Sequence, residues 1–250
     1  SEMCIRDSIY RQPGKEFINK MKISCMKGKL MQGISNVSKA VSTKTTHPIL
    51  SCIFIEAENG NIKLTANDME IGIESYVEGT VIEEGKVAIE AKLLSDIVRK
   101  LPDSEIHMET NEDFKTTIKC EKSLFTIAGK SGEDFSSLPV VEKSKYITIS
   151  QFTLREIINQ TIFSISDSEY NNVMTGELFE VSNNRLRVVA IDGHRIAIRN
   201  VELKDESQDV KVIVPGKALS YISKIVNGGV DDDVNIYFAA VSYTHLRAHE

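Results

Sequence analysis

Residues 211–226 read KVIVPGKALSYISKIV, and a copy of this stretch, KVAIEAKLLSDIVRKL, stands 125 positions earlier at residues 86–101. In both copies a short apolar segment leads into one whose apolar residues recur three and four positions apart. This pattern predicts a strand followed directly by an amphipathic helix. The two helices match at Lys92 and Lys217, and again at Leu94 and Leu219. A repeated strand-helix unit predicts that the rest of the chain is duplicated as well.

The same spacing relates two other parts of the chain. Residues 53–73 parallel residues 178–198, and Asn59 with Gly60 supplies the positive-φ pair that a tight hairpin turn requires. The apolar pattern that opens the first copy recurs near residue 147. A period of this length exceeds the roughly 20 to 50 residues of solenoid repeats and is typical of a whole domain. We therefore expect two copies of one domain.

Each copy is predicted to be α+β. The pattern of each domain gives two strand, helix, three-strand units, with helices on one side and antiparallel sheets on the other. A segment rich in Gly, Ser, Pro and charge separates the domains. The predicted boundaries are residues 21–129 for the first domain, 130–145 for the linker and 146–238 for the second domain.

The two ends of the chain do not follow the repeat. SEMCIRDS, within residues 1–20, and VSYTHLRAHE, within residues 239–250, resemble translated adapter peptides at the ends of assembled fragments. We expect residues 1–20 to be a non-native or disordered leader and residues 239–250 to be a non-native tail, and we exclude both from the fold. The second domain is then expected to be truncated, two strands short of the first.

Composition narrows the class of protein. No apolar run approaches the ~18 residues of a membrane span. The four cysteines, Cys4, Cys25, Cys52 and Cys120, form no CxxC pair and follow no secretory leader, so a reducing cytoplasmic setting is expected. The chain has a net charge of -6, but residues 27–44 carry four lysines and no acid. Cations concentrated on the predicted helices of an acidic protein suggest a surface that attracts phosphate.

Five motifs resemble those of a known family. The resemblance is to the bacterial DNA polymerase III β subunit, the replication sliding clamp, and it rests on HPILSCIFIE, LTANDMEIGI, EDFSSLP, VVAIDGHRIAI and VIVPGKAL. The family is a three-domain chain that dimerises head to tail into a ring around duplex DNA, with helices lining the hole. The resemblance implies tandem clamp domains one and two, without domain three. It implies polymerase III, other clamp-binding proteins and the clamp loader as partners, in a bacterial cytoplasm near the nucleoid.

The resemblance also implies two sets of site residues. DNA-contacting positions of the family carry over to Lys44, Lys92 and Lys217, and the charge pattern of the helices adds Arg99 and Lys224. The family's pattern is broken at Ser168, Asn172 and Val173. A cleft that docks partner peptides is expected to include Met174, Gly193, His194, Arg195 and Ile196.

The sequence also contains residues that could form an acid/base site or a metal site. Asp192 and His194 could form an acid/base pair of a hydrolase, but no nucleophile motif or phosphate-binding loop accompanies them. A metal could bind His245 and His249, four positions apart, or the carboxylates of residues 231–233. We expect neither: the chain is predicted to be non-catalytic, with no metal and no cofactor.

Overall fold

The computed structural model describes residues 20–42, 45, 47–133, 135, 138, 145–166, 173–204, 208–226, 229 and 231–238. The chain divides into two compact units, Ser1–Leu138 and Pro139–Glu250. Each unit has a hydrophobic core of its own. Within the described residues, no helix is long and apolar enough to cross a membrane.

The first unit contains two helices and nine strands among its described residues. They are β1 (Met21–Met26), α1 (Lys27–Val37), β2 (Cys52–Glu58), β3 (Asn61–Asn67), β4 (Gly72–Val77), β5 (Gly79–Glu83), β6 (Gly85–Glu90), α2 (Ala91–Lys100), β7 (Glu105–Thr110), β8 (Lys115–Cys120) and β9 (Ser123–Ala128). Two antiparallel sheets form, with strand orders β4-β3-β2-β6 and β5-β1-β7-β8-β9.

The core of the first unit lies between the helices and these sheets. In α1 the buried residues Leu30, Ile34 and Val37 recur every three or four positions, so they share one face. The helix α2 does the same with Leu94, Ile97 and Val98, and the two helices pack against each other. Ile62 and Leu64 reach this core from alternate positions of β3. The spacing in the sequence therefore predicted correctly which faces are buried.

One strand of the first unit was not predicted. The strand β5 follows β4 after the single residue Glu78, and it leaves the sheet of β4 to pair with β1. Cys25 of β1 lies opposite Gly79, the first residue of β5. No turn signal separates β5 from β4 in the sequence, which explains why it was missed. The first half of the unit therefore has one strand more than the predicted three after its helix.

The predicted hairpin turn between β2 and β3 is confirmed. Asn59 and Gly60 both have positive φ angles, of 52° and 75°. The corresponding turn of the second unit is formed by Asn183 and Asn184, which also have positive φ. Asparagine tolerates this backbone region better than other residues with a side chain, so both copies make the same turn.

The second unit repeats this arrangement with α3, α4 and six described strands. They are β10 (Tyr146–Ser150), α3 (Gln151–Thr161), β11 (Gly176–Ser182), β12 (Arg185–Ile191), β13 (Ile196–Glu202), β14 (Val210–Pro215), α4 (Gly216–Ile225) and β15 (Asp233–Tyr237). The strand orders are β13-β12-β11-β14 and β10-β15, again antiparallel. The helices α3 and α4 pack together as α1 and α2 do. The α+β prediction is confirmed.

Candidate nucleic-acid interface and peptide cleft

The helix α2 presents two cations on one face. Lys92 and Arg99 are both exposed, and they are seven residues apart, which is close to two full helical turns. Asp96 lies between them on the same face and forms an ion pair with the Arg99 guanidinium. The charge of Arg99 is therefore partly offset, whereas Lys92 extends into solvent from the first turn.

The helix α4 presents the equivalent pair. Lys217 and Lys224 are exposed and also seven residues apart. The position equivalent to Asp96 is Tyr221, and the sequence of α4 contains no acidic residue. The helix α4 therefore supplies no carboxylate of its own beside its two lysines, whereas α2 supplies Asp96.

Both lysines of α1 have a partner in the structure that the sequence did not predict. Lys27 Nζ donates to the carbonyl oxygen of Leu101 at 2.5 Å, just beyond the end of α2. Lys29 Nζ is 2.9 Å from a carboxylate oxygen of Glu78, the residue between β4 and β5. An acid from outside the helix thus offsets part of the positive charge predicted for this segment. Lys44 lies outside the described residues, as do Ser168 and Asn172, while Val173 is described and exposed.

The predicted peptide cleft centres on the turn between β12 and β13. Asp192 Oδ1 accepts hydrogen bonds from the backbone N–H groups of His194 at 2.9 Å and Arg195 at 3.0 Å. Its other carboxylate oxygen accepts from Arg195 Nε at 2.6 Å. Gly193 has a φ of +89°, which permits the tight turn. The His194 N–H, followed by the bonds from Arg195, holds the pKa of Asp192 below its usual range.

The cleft residues border the segment that follows α3. The Arg195 guanidinium lies over the ring of Phe163, 5.8 Å from its centroid. The carbonyl oxygen of Met174 accepts a hydrogen bond from the Ser166 N–H at 2.8 Å. Ile196 and Phe163 are each 57% exposed. The sequence analysis did not include Phe163 in the cleft. An aromatic residue that follows the polar residues 159–161 at the end of α3 is a signal that could have indicated it.

The Asp192 carboxylate stabilises the turn between β12 and β13 by accepting hydrogen bonds from it. The hydrogen bonds described for its carboxylate all come from nitrogen atoms of its own turn, and none comes from the His194 ring. No group of three or more His, Cys, Asp or Glu residues that could hold a metal occurs in the described ranges. His245 and His249 lie outside those ranges. Asp233, from the other candidate metal group, is 3.4 Å from Lys204 Nζ.

Comparison with protein families gives matches along most of the chain. Residues 21–139 match the family model described as the N-terminal domain of the DNA polymerase III beta subunit. Residues 148–249 match the model of the central domain of the same subunit. Both halves of the internal duplication are thus similar to consecutive domains of one family.

Curated relatives agree with these matches. The chain is 39% identical over 215 residues to the beta sliding clamp of Staphylococcus epidermidis, covering 83% of this chain and 57% of that protein. It is 38% identical over 208 residues to the beta sliding clamp of Halalkalibacterium halodurans, covering 79% and 55%. The chain thus spans little more than half the length of these relatives.

Solved structures give the same result. A putative DNA polymerase III beta subunit from Eubacterium rectale is 56% identical with a TM-score of 0.85, and the match covers 87% of this chain and 60% of that one. The DNA polymerase sliding clamp from Bacillus subtilis is 31% identical with a TM-score of 0.84, covering 88% and 60%.

Proposed function

Because the chain belongs to the DNA polymerase III β subunit family, we propose that it is part of a sliding clamp, the processivity factor of a replicative polymerase. The complete clamp encircles duplex DNA as a head-to-tail homodimer and keeps the polymerase on its template. It works in the bacterial cytoplasm, associated with the nucleoid during replication. The clamp loader places it on DNA.

The observation that carries this proposal is the repeated cationic face. Matching helices of the two units each expose a pair of cations two turns apart, Lys92 with Arg99 and Lys217 with Lys224. An acidic protein that keeps cations at equivalent places on a helix of each repeat is suited to attract phosphate at those helices. Lys44 is proposed to contact phosphate as well, on the strength of the family resemblance.

The proposed contacts are to the DNA backbone. The lysines of this set act as mobile point charges and lack the planar fork with which arginine reads a guanine edge. The one arginine, Arg99, has its guanidinium paired with Asp96. Binding through lysine ammonium groups is insensitive to base sequence, and it weakens as salt rises because each counterion released from the DNA gains less entropy in a more concentrated salt solution. A protein that must move along DNA needs both properties.

Partner proteins are proposed to dock at the turn after β12. The exposed side chains of Ile196 and Phe163 supply apolar area, and Met174 borders the same segment. His194 and Arg195 add polar anchors, while Gly193 allows the turn that presents them. Polymerase III and other clamp-binding proteins would insert a short peptide here. The hydrogen bonds of Asp192 support a positioning role for that carboxylate, so we propose a non-catalytic subunit.

The DNA proposal is tested with lysine-to-alanine variants in a protein of full family length that includes this sequence. Lys44→Ala, Lys92→Ala and Lys217→Ala are combined, and the affinity for primed circular DNA is measured at several salt concentrations. The logarithmic salt dependence should become shallower by up to about 0.9 for each lost phosphate contact, equally for all DNA sequences.

The control is Lys115→Ala with Lys119→Ala, which removes two exposed lysines from the strand β8. If both sets of variants change the salt dependence equally, the effect is one of net charge and the helix surface is not the interface. Unchanged affinity and salt dependence in the triple variant would contradict the proposal. Loss of primer-extension processivity without loss of folding would support it.

A further inference from the structure

Three core positions of the second unit are polar where the first unit is apolar. The polar residues, each 0% exposed, are Thr161, Ser164 and Glu177. The residues 124 positions earlier, also 0% exposed, are Val37, Ala40 and Ile53. Both sets occupy the last residue of a helix, the last residue of the short 3₁₀ helix that follows it, and the second residue of the next strand. Because buried polar groups need partners, a change at all three positions indicates a polar site built into this core.

The three side chains lie in one small region. Thr161 Oγ1 is 2.9 Å from Glu177 Oε2. A few residues further along, the Ser166 N–H donates to the carbonyl oxygen of Met174, just before Glu177, at 2.8 Å. The segment that contains Ser164 therefore runs beside the start of β11. Ser164 Oγ and Glu177 Oε1 have no hydrogen-bond partner among the described residues, so a hydroxyl and a carboxyl oxygen are both left to bond.

A short 3₁₀ helix, Ile162–Ser164, connects this polar site with the proposed peptide cleft. We call it the Phe163 turn. Phe163 is 57% exposed and lies under the Arg195 guanidinium at the cleft. The residues on either side of the turn's exposed part, Thr161 and Ser164, are fully buried. Any shift of the buried side of the turn is therefore also a shift of Phe163 at the cleft.

The proton of Glu177 determines which hydrogen bonds form here. Thr161 Oγ1 has one proton and two acceptors in reach, Glu177 Oε2 and the carbonyl oxygen of Ile157 at 2.8 Å. A protonated Glu177 can donate to the Thr161 oxygen, which leaves the threonine proton on Ile157. An ionised Glu177 only accepts, so it draws the Thr161 proton away from Ile157 and offers Oε1 to the hydroxyl of Ser164. The two protonation states thus favour different hydrogen bonds on the buried side of the Phe163 turn.

The surroundings of Glu177 are otherwise apolar. Among the described residues of the second unit, no other acidic or basic side chain is buried. The core around it consists of aliphatic and aromatic side chains from α3, α4 and the strands. Arg195 lies beyond the Phe163 ring and is exposed, and so is His194. Burial raises the pKa of Glu177 to about 7, so both protonation states are populated near neutral pH.

We propose that Glu177 is a positioning residue of the peptide cleft, which acts through Thr161 and Ser164 on the Phe163 turn and shifts that turn when it loses its proton. This role rests on the proposed docking of partner peptides at the cleft. It makes the position of one apolar wall residue of the cleft depend on pH in the neutral range. The first unit has aliphatic residues at all three positions and lacks this dependence.

The test follows NMR signals of the whole 250-residue chain from pH 5.5 to pH 8.5. The side-chain carboxyl carbon of Glu177, the methyl groups of Thr161 and Ile162, and the ring of Phe163 are observed in the same samples. We expect all of them to shift with one common midpoint near pH 7. Every protein compared carries His194→Gln, because an exposed histidine changes its charge in the same pH range and would add a second midpoint.

Two variants show whether the effect passes from Glu177 to the turn. Glu177→Gln does not ionise, so the shifts of Ile162 and Phe163 with pH should be lost. Thr161→Val combined with Ser164→Ala introduces the residues of the first unit and removes both hydroxyls. In that variant the Glu177 carboxyl should still titrate, whereas the shift of Phe163 should be lost. Circular dichroism verifies that each variant remains folded over the pH range.

Several results would overturn the proposal. One is a Phe163 ring whose signals stay constant while Glu177 titrates, and another is a Glu177 carboxyl that does not titrate in this range. A shift of Phe163 that persists in Glu177→Gln would assign the effect to a different group. A shift that persists without both hydroxyls would exclude the route through Thr161 and Ser164. Because these samples contain no peptide, failure of peptides to bind the full-length protein would be a separate result, and it would contradict the proposed docking function.

Discussion

At the scale of single residues, Glu177 is the least expected feature of the interior. Its side chain is fully buried on β11, at a place where the first unit has Ile53. Thr161 Oγ1 can donate its one proton either to Glu177 Oε2, at 2.9 Å, or to the carbonyl oxygen of Ile157, at 2.8 Å. The Glu177 carboxylate therefore shares its single hydrogen-bond donor with a backbone carbonyl. The other carboxyl oxygen, Oε1, has no hydrogen-bond partner among the described residues.

These surroundings make the stability of the second unit depend on pH. Burial raises the pKa of Glu177 to about 7, from an ordinary value of 4.5. The folded state binds the Glu177 proton more tightly than the unfolded state does. Protonation of Glu177 therefore contributes fully to the free energy of unfolding below pH 4.5, and this contribution is lost as the pH rises through about 7. Glu177→Gln should remove this loss and stabilise the protein by about 2 to 3 kcal/mol at pH 8, with little effect at pH 5.

Urea unfolding of the wild type and the variant, followed by circular dichroism between pH 5 and pH 8.5, measures this effect. Glu180→Gln is the matched control because Glu180 lies on the same strand but faces outward, where it pairs with Lys211 at 3.3 Å. If both substitutions change the pH dependence equally, the buried carboxyl is not its source.

Asp96 leads to a second prediction at the same scale. Its ion pair with Arg99 places a carboxylate on the cationic face of α2, where α4 has Tyr221. Asp96→Asn should therefore strengthen DNA binding by the full-length protein and steepen its logarithmic salt dependence by up to about 0.9, because one more cation becomes available to phosphate. The binding isotherms are compared with those of Asp113→Asn, an equal charge change in the turn between β7 and β8. Weaker binding by Asp96→Asn would contradict a phosphate-facing α2.

Helices and hairpin turns can be predicted from this sequence, whereas strand pairing and ion pairs between distant residues cannot. The helices were found because Leu94, Ile97 and Val98 repeat at helical spacing, and the hairpin because Asn59 and Gly60 mark its turn. The strand β5 was missed because its pairing with β1 is set by tertiary contacts and not by any local signal. The ion pair of Lys29 with Glu78 was missed for the same reason, since the two residues are distant in sequence.

The segment that follows β9 and contains Phe135 contributes to the stability of the first unit. The sequence marked residues 130–145 as a linker, yet Phe135 stacks on Phe54 and is nearly buried. Phe135→Ala should lower the free energy of unfolding by about 3 kcal/mol, because a large aromatic side chain is removed from a packed cluster. Phe125→Ala on β9 is the control, since Phe125 is 40% exposed and its loss should cost less. Equal effects in thermal or urea unfolding would mean that the segment contributes little to stability.

At the scale of the whole molecule, the two units have different strand pairing despite their common pattern. In the first unit β7 lies between β1 and β8, so it has a hydrogen-bonded neighbour on each side. The equivalent strand of the second unit, β15, pairs with β10 alone among the described residues. A strand with one neighbour leaves alternate N–H groups without a partner in the sheet, and local opening of such a strand breaks fewer bonds.

Hydrogen exchange should therefore distinguish the two copies of the domain. The amides of Asp233–Tyr237 are expected to exchange at least about tenfold faster than those of Glu105–Thr110, corresponding to a local opening free energy lower by at least about 1.4 kcal/mol. The central strands β2 and β11 each have two neighbours, so their protection serves as the internal reference. Exchange is followed by NMR or mass spectrometry at pH 5, where Glu177 is protonated and its destabilising effect is absent. Similar protection of β15 and β7 would show that β15 has a second neighbour in solution, and would contradict the two-stranded pairing with β10.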